Sequence, residues 1–407
     1  METTPIFTPD ELSASEVIAN PYPAYRQLRD HSPLRFILYP RGTVPGVNAP
    51  VYAWALMKYH DVYTALRDHD TFSSVPHSAH AKVMPRFVLI FDDPPRHTRF
   101  RRLVNKAFTP KRIEALEPWM RSVVNDLLDG IGTGETDIVQ SYTVPLPMRV
   151  IARLLGIPAE EYAAFKRWSD ATVSVIAMPP GERAQQTQEM SAYFGRVAAA
   201  RRAQGADDLI TALVEAEVEG ESLADWEILG FCMLLLVAGN ETTTNLLSNI
   251  LNILVDRPEL WQRVRQDRSL VESIIDETLR YESPVQRLFR VTTREVEVSG
   301  VRIPEGAMVA VYFGAANRDP LAFPQPDEFR LDRDLPKHVA FGMGIHYCLG
   351  APLARTEAKI TLNAFLNRFP TLPRGQALAV RQTMACQMLG FQQLPMVLDN
   401  RESPVVK

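Results

Sequence analysis

Cysteine is scarce in this chain. Its 407 residues include three, Cys232, Cys348 and Cys386, far apart in sequence. A disulfide framework is therefore not expected, and a reducing, cytoplasmic setting fits. No two cysteines stand at metal-ligand spacing, which argues against a zinc site. Long apolar runs are missing too. No window reaches the roughly 18 apolar residues of a membrane span. The nearest, Ile228 to Gly239, runs directly into polar residues. Residues Met1 to Phe7 show no basic segment followed by an apolar stretch, so a soluble protein without a signal peptide is expected. Neither sign of charge dominates. A net charge of −4 gives no electrostatic case for nucleic acid or an anionic membrane. Low-complexity linkers and short-period repeats are also absent, so nothing divides the chain into obvious pieces.

What the chain does have is one cysteine in unusual company. Cys348 sits in the run Phe341-Gly342-Met343-Gly344-Ile345-His346-Tyr347-Cys348-Leu349-Gly350. A lone cysteine usually packs as a small hydrophobe. Here three glycines surround it, and glycine permits turns and close approaches that other residues cannot make. Ala351 to Lys359 reads as the start of a helix, whose free N–H groups and dipole favour a thiolate. No Gly-Lys-Ser/Thr follows the glycines, so this is not a phosphate loop. A thiolate held in an N–H-lined loop suits ligation of haem iron. The run matches Phe-Gly-x-Gly-x-His-x-Cys-x-Gly without a departure. It resembles the haem-binding loop of the cytochrome P450 family of haem-thiolate mono-oxygenases.

Patterning along the chain predicts a mainly α protein with small β-sheets. Val51 to Leu56 is strand-like. Asp92-Asp93-Pro94-Pro95 reads as a turn before a helix start, and a mostly helical stretch runs from about Pro94 to Arg280. Thr292 to Gly306 alternates apolar and polar residues like short strands and hairpins. Asn317 to Phe341 reads as a long irregular meander. Ser222 to Asp256 predicts one very long helix, roughly 50 Å, capped by Ser222 and stopped by Pro258. Its first half is apolar nearly all round, which implies burial. The pattern then breaks at Ala238-Gly239-Asn240-Glu241-Thr242-Thr243-Thr244. An acid and hydroxyls in a buried helix are costly unless they have partners or a task. Small Ala238 and Gly239 would let a flat group approach, and an acid–alcohol pair can pass protons. A solvated kink with satisfied hydroxyls is the plainer reading of the same residues.

The resemblance implies more. Ala-Gly-x-Glu-Thr-Thr is that family's oxygen-activation segment, making Glu241 the acid and Thr242 the alcohol that guide protons to bound dioxygen. Glu277 and Arg280 lie three apart on one helix face; the family buries this pair against the meander, with Arg333 or Arg330 as third partner and Arg333 preferred. Asp93 to Arg101 resembles the family's Asp-Pro-Pro-x-His-x-x-x-Arg helix. His97 and Arg101 share one face and, with Arg290 and His346, would hold the haem propionates. Cys348 would ligate the iron, with Phe341 near the sulfur, Gly342 and Gly350 shaping the loop and Ala238 beside the haem. With no Cys-x-x-Cys-His present, haem b would be held without thioether bonds. Family position places Val83, Met84, Phe87, Leu89, Leu234, Leu235, Ala238, Val285, Leu288, Phe289 and Met388 around a mostly apolar substrate.

The implied whole is one P450 domain over residues 1–407, helix-rich at about 94–290 and 342–370 and β-rich or meandering at about 290–341. The implied reaction inserts one atom of O2 into a small organic molecule. Electrons would come from NAD(P)H through a ferredoxin and its reductase, since the chain shows no flavin or ferredoxin module. Arg99, Arg102, Lys106, Arg355 and Lys359 are candidate docking charges on a monomeric enzyme. A peroxide-driven haem-thiolate oxygenase and a non-catalytic haem sensor or carrier are the alternatives. The intact acid–alcohol pair speaks against the first, and the lack of an output domain against the second.

Overall fold

The computed structural model describes residue 12 and residues 14–31, 34–39, 50–75, 88–105, 109–173, 178–218, 220–333, 337–383 and 385–398. Helices dominate and the sheets are small. Those that position the site are α1 (Tyr59–Arg67), α2 (Arg96–Asn105), α3 (Pro145–Leu154), α4 (Tyr162–Val173), α5 (Pro180–Ala203), α6 (Asp225–Val255), α7 (Val271–Tyr281) and α8 (Ala351–Arg368).

The largest sheet uses β1 (Leu34–Tyr39), β2 (Val51–Leu56), β3 (Phe72–Ser73) and β4 (Arg287–Thr292). β5 (Val296–Val298) and β6 (Val301–Ile303) form a separate hairpin, and the chain re-enters the sheet as β7 (Met308–Tyr312). The order is β1-β2-β7-β4-β3. β2 and β7 run parallel, and the other pairs are antiparallel. Side chains alternate across a strand, so β7 feeds two cores. Ala310 and Tyr312 pack with Tyr25, Leu28 and Tyr39 on one face. Val309 and Val311 pack with Leu56, Val62 and Leu66 of β2 and α1 on the other.

The main core surrounds α6. Phe231, Cys232, Met233 and Leu234 are all buried, although at about 100° per residue they point in every direction around the helix. That explains an apolar pattern without a polar stripe. The helix spans 31 residues, and it starts later than the sequence predicts. Ser222 is not its cap. Ser222 pairs with Glu217 in a small ribbon. The Ala224 N–H at the helix start is taken instead by the Glu227 carboxylate, at 3.0 Å. An acid three residues in can reach back to the cap position, so no hydroxyl is needed there. At the other end Pro258 opens the next helix, Pro258–Gln266. The described part of the meander, residues 317–333 and 337–341, contains neither helix nor strand.

Candidate active site

The cysteine loop is shaped by backbone that only glycine adopts easily. Gly342 and Gly344 have φ of 68° and 67°. A Cβ on Gly344 would stand 2.6 Å from the Leu66 carbonyl oxygen of α1. The loop therefore lies directly on α1. The Cys348 N–H closes it by donating to the Phe341 carbonyl at 2.9 Å. Phe341 is partly buried, with the Arg355 guanidinium 5.3 Å from its ring centre. Gly344→Ala should cost about 1–3 kcal/mol from the left-handed backbone, with the clash on α1 in addition. Gly342→Ala should cost less, because a Cβ there meets nothing closer than 3.7 Å. Urea unfolding of both variants checks the order.

Cys348 stands three residues before Ala351, where α8 begins. The N–H groups of Gly350 and Ala351 and the charge of Arg101 pull its thiol pKa down, but desolvation outweighs them and the net direction is up. This corrects the expectation that the helix start alone favours a thiolate. A bound metal cation would tip that balance, because a coordinating thiol loses its proton outright.

Above the loop two guanidiniums, Arg101 and Arg290, and two imidazoles, His97 and His346, converge, with Asp92 and Asp93 as the nearby carboxylates. His97 and Arg101 come from α2, Arg290 from β4 and His346 from the loop. The His97 and His346 rings lie 4.4 Å apart. His346 is pushed down to about 2, first by burial and then by the charges of Arg290, His97 and Arg101. Burial lowers Arg290 to about 10, with Asp93 opposing it weakly. Burial lowers His97 as well, and its buried Nε2 has no partner. A buried guanidinium with little counter-charge and a buried ring nitrogen without a partner are both costly. Two carboxylates placed here would pair with the guanidiniums and accept from the His97 ring, so the residues present fit a haem with its propionates.

Two contributors to this corner escape sequence reasoning. Ser74 Oγ bonds His346 Nε2 at 3.0 Å. Asp93 accepts from Ser73 Oγ at 2.5 Å and from the Ser74 N–H at 3.1 Å. Asp93 stands in the motif beside His97, yet its sequence signal reads only as a turn. Nothing in the sequence points to Ser74, which arrives from β3 through space.

On α6 the polar turn splits by direction. Ala238 is exposed, and the Thr242 hydroxyl donates back to its carbonyl at 2.6 Å. Gly239 does not open a face for a flat group. A Cβ there would strike Ile151 Cδ1 of α3 at 2.4 Å, so its missing side chain admits α3. Glu241 is pushed up to about 7, first by burial and then by Asp170 of α4, against Lys166. Thr243 is buried, and Thr244 donates to the Thr143 carbonyl at 2.9 Å.

Behind the loop, Glu277 accepts from both nitrogens of the Arg280 fork at 2.7 Å and from Arg333 Nε at 2.9 Å. Arg330 reaches Glu277 only through its backbone N–H. Its side chain turns to Asp332 and Gln325.

The sequence model of the cytochrome P450 family matches residues 138–395. The chain is a cytochrome P450. Cytochrome P450 109 of Bacillus spizizenii is 39% identical over 367 residues, 88% of this chain and 86% of that protein. The vitamin D(3) 25-hydroxylase of Pseudonocardia autotrophica is 36% identical over 362 residues, 87% of each. The structure of CYP109E1 from Bacillus megaterium in complex with corticosterone superposes with a TM-score of 0.83 at 36% identity, over 94% of this chain and all of that one. Membership makes this P450 an oxidoreductase that incorporates one oxygen atom, and it implies haem with a thiolate ligand and dioxygen. Among the described residues no helix is long and apolar enough to cross a membrane.

The P450 pocket residues are only partly brought together. Val83, Met84 and Phe87 lie outside the described residues. Leu234, Ala238 and Thr242 are four apart and line one stripe of α6, with Leu235 beside them. Val285 and Met388 bridge to each other. Leu288 shares the face of Arg290 on β4. Phe289 does not. Its ring meets Tyr39 edge-on at 5.3 Å in the core on the opposite face, because neighbours on a strand point opposite ways. Leu89 packs in the main core, and its N–H is held by Asp92. The candidate docking charges already have partners in the chain in three cases. Arg99 donates to the Ser222 carbonyl, Arg355 pairs with Asp276 at 2.6 Å and Lys359 pairs with Glu272 at 2.7 Å. Lys106 lies outside the described residues, and Arg102 is exposed at the end of α2.

Proposed function

We propose that this P450 acts as a monomeric, single-domain, cytoplasmic mono-oxygenase on a mostly apolar small molecule, fed by a ferredoxin and its reductase. The reading rests chiefly on one juxtaposition. A desolvated thiol with N–H donors lies beside two guanidiniums and two imidazoles that converge on one corner. Cys348 would hold haem b by its sulfur, and His97, Arg101, Arg290 and His346 would hold the propionates. Bound haem supplies the dioxygen chemistry. The protein's own part is to exclude water, orient the substrate and move protons. Leu234, Leu235 and Ala238 present an apolar stripe toward the substrate side. The vitamin D(3) hydroxylase and the corticosterone complex among the relatives support an apolar ligand.

Glu241 suits proton supply because its pKa near 7 lets it hold or release a proton at neutral pH. Thr242 is the alcohol one residue on, and its hydroxyl can turn from the Ala238 carbonyl to aim that proton. Thr242→Ala should keep haem and substrate binding, yet product per NAD(P)H should fall severalfold while hydrogen peroxide rises. Glu241→Gln should slow the whole cycle. Product, peroxide and cofactor measured in one assay separate the two. Unchanged coupling in Thr242→Ala removes the threonine from the mechanism.

The electron source has its own test. NADPH alone should give no turnover, and adding a ferredoxin with its reductase should restore it. Full activity from the purified chain and NADPH contradicts the proposal. A peroxide-supported rate that matches the reconstituted one would favour the peroxide-driven reading.

A further inference from the structure

Between Gly239 and Glu241 stands Asn240, which the mechanism so far does not use. It is buried, and its Nδ2 donates to Ser169 Oγ of α4 at 3.2 Å. Ser169 is buried as well. The Asn240 Oδ1 is buried without a partner. A residue kept only for packing would not carry that cost, since an unsatisfied buried acceptor is worth about 1–3 kcal/mol. An apolar side chain would fill the space more cheaply.

The surroundings suggest what the cost is for. On α4, Lys166, Ser169 and Asp170 are three and four apart and share one face, and Lys166 donates to Asp170 at 2.5 Å. On α6, Asn240 and Glu241 are consecutive, about 100° apart around the helix axis. Both meet α4: Asn240 by its bond, Glu241 through the charges of Lys166 and Asp170. Those two are the charged groups that act on Glu241 among the described residues. About 100° round the helix from Asn240, Ile151 of α3 fills the space beside Gly239. This turn of α6 is therefore held by two helices, α3 and α4.

We infer that Asn240 is a positioning residue, whose bond to Ser169 pins α4 on α6 and so holds the Glu241 carboxyl against the Lys166–Asp170 pair. The inference rests on the reading of Glu241 as a proton carrier, but it can be tested apart from it. With α4 pinned, water is kept from Glu241 and the Asp170 charge stays close. With α4 released, water reaches the carboxyl and its protonation returns toward that of an ordinary glutamate.

The test is an infrared titration of the haem-loaded full chain. The carboxyl band that disappears in Glu241→Gln is followed against pH. Asn240→Ala and Ser169→Ala should each lower its midpoint by about one unit, a tenfold change in proton affinity. The double variant should go no further than either single one, because both remove the same bond. Ser169→Thr keeps a hydroxyl and should keep the wild-type midpoint. Ser169→Ala decides the matter if Asn240→Ala does not fold. An unchanged midpoint in a folded variant overturns the inference, even if thermal stability falls. Turnover of Glu241→Gln, measured separately, judges the proton-carrying role. Normal turnover there rejects that role and leaves the titration to decide Asn240.

Discussion

Cys348→Ser should abolish the red-shifted Soret band of the ferrous carbon monoxide complex. Serine keeps the size of the side chain and its place at the start of α8. It cannot keep the charge. Desolvation already pushes the Cys348 thiol up, and a hydroxyl starts far higher, so an alkoxide is out of reach at neutral pH. A neutral oxygen on the iron lacks the electron density that a thiolate pushes toward the opposite side. Arg101, Arg290, His97 and His346 are untouched, so the variant should still take up haem, and uptake and the band should separate. A variant that retains the band has another residue on the iron, and the assignment of Cys348 falls.

Glu277→Gln should be the most destabilising change that touches no proposed ligand. Among the described residues Glu277 is the carboxylate between two enclosed guanidiniums, with Arg280 and Arg333 side chains 3% and 8% exposed. One of its oxygens accepts from Arg280, Arg333 and the Arg330 N–H together. An amide has one acceptor and one donor. Whichever way it turns, an NH2 faces a guanidinium, and two buried positive charges lose their counter-ion. Breaking a buried pair this way costs about 3–5 kcal/mol. The loss should spread to the site. The same guanidiniums hold the carbonyls of Asn317, Pro324, Gln325, Pro326 and Glu328, and this segment feeds the cysteine loop. Urea unfolding should show a large drop in midpoint, with faster transfer of haem to an acceptor protein. Arg330→Ala is the control. Its side chain pairs with Asp332 at the surface, and exposed pairs contribute little. Equal losses in both variants would show that the network is not organised around Glu277.

Much of this was legible because it is local. Period, turn residues and helix stops act within a few positions, so the long helix, the hairpin and the meander stand close to where the pattern puts them. The misreadings share the opposite cause. Ser222 is a good cap by type, yet Glu227 reaches back first, and the segment before the helix pairs as a ribbon. Gly239 has no side chain in either reading, and only the approach of Ile151 reveals which neighbour needed the space. Leu288 and Phe289 are equally apolar, and a shift of one residue along β4 sends a side chain to the other core. Ser74 meets His346 across 272 positions. Partners of that kind are set by how elements stack, which no window of sequence contains.

The seat of the cysteine loop on α1 distributes freedom to vary unequally. Gly344 touches backbone there, the Leu66 carbonyl and the Arg67 Cα, and every residue type supplies those atoms. Substitutions along α1 that keep the helix leave the contact intact. Any side chain at position 344 disturbs it. In chimaeras that join the N-terminal part of one relative to the C-terminal part of another, this seam should close whatever the donor of α1, provided the acceptor keeps its glycine.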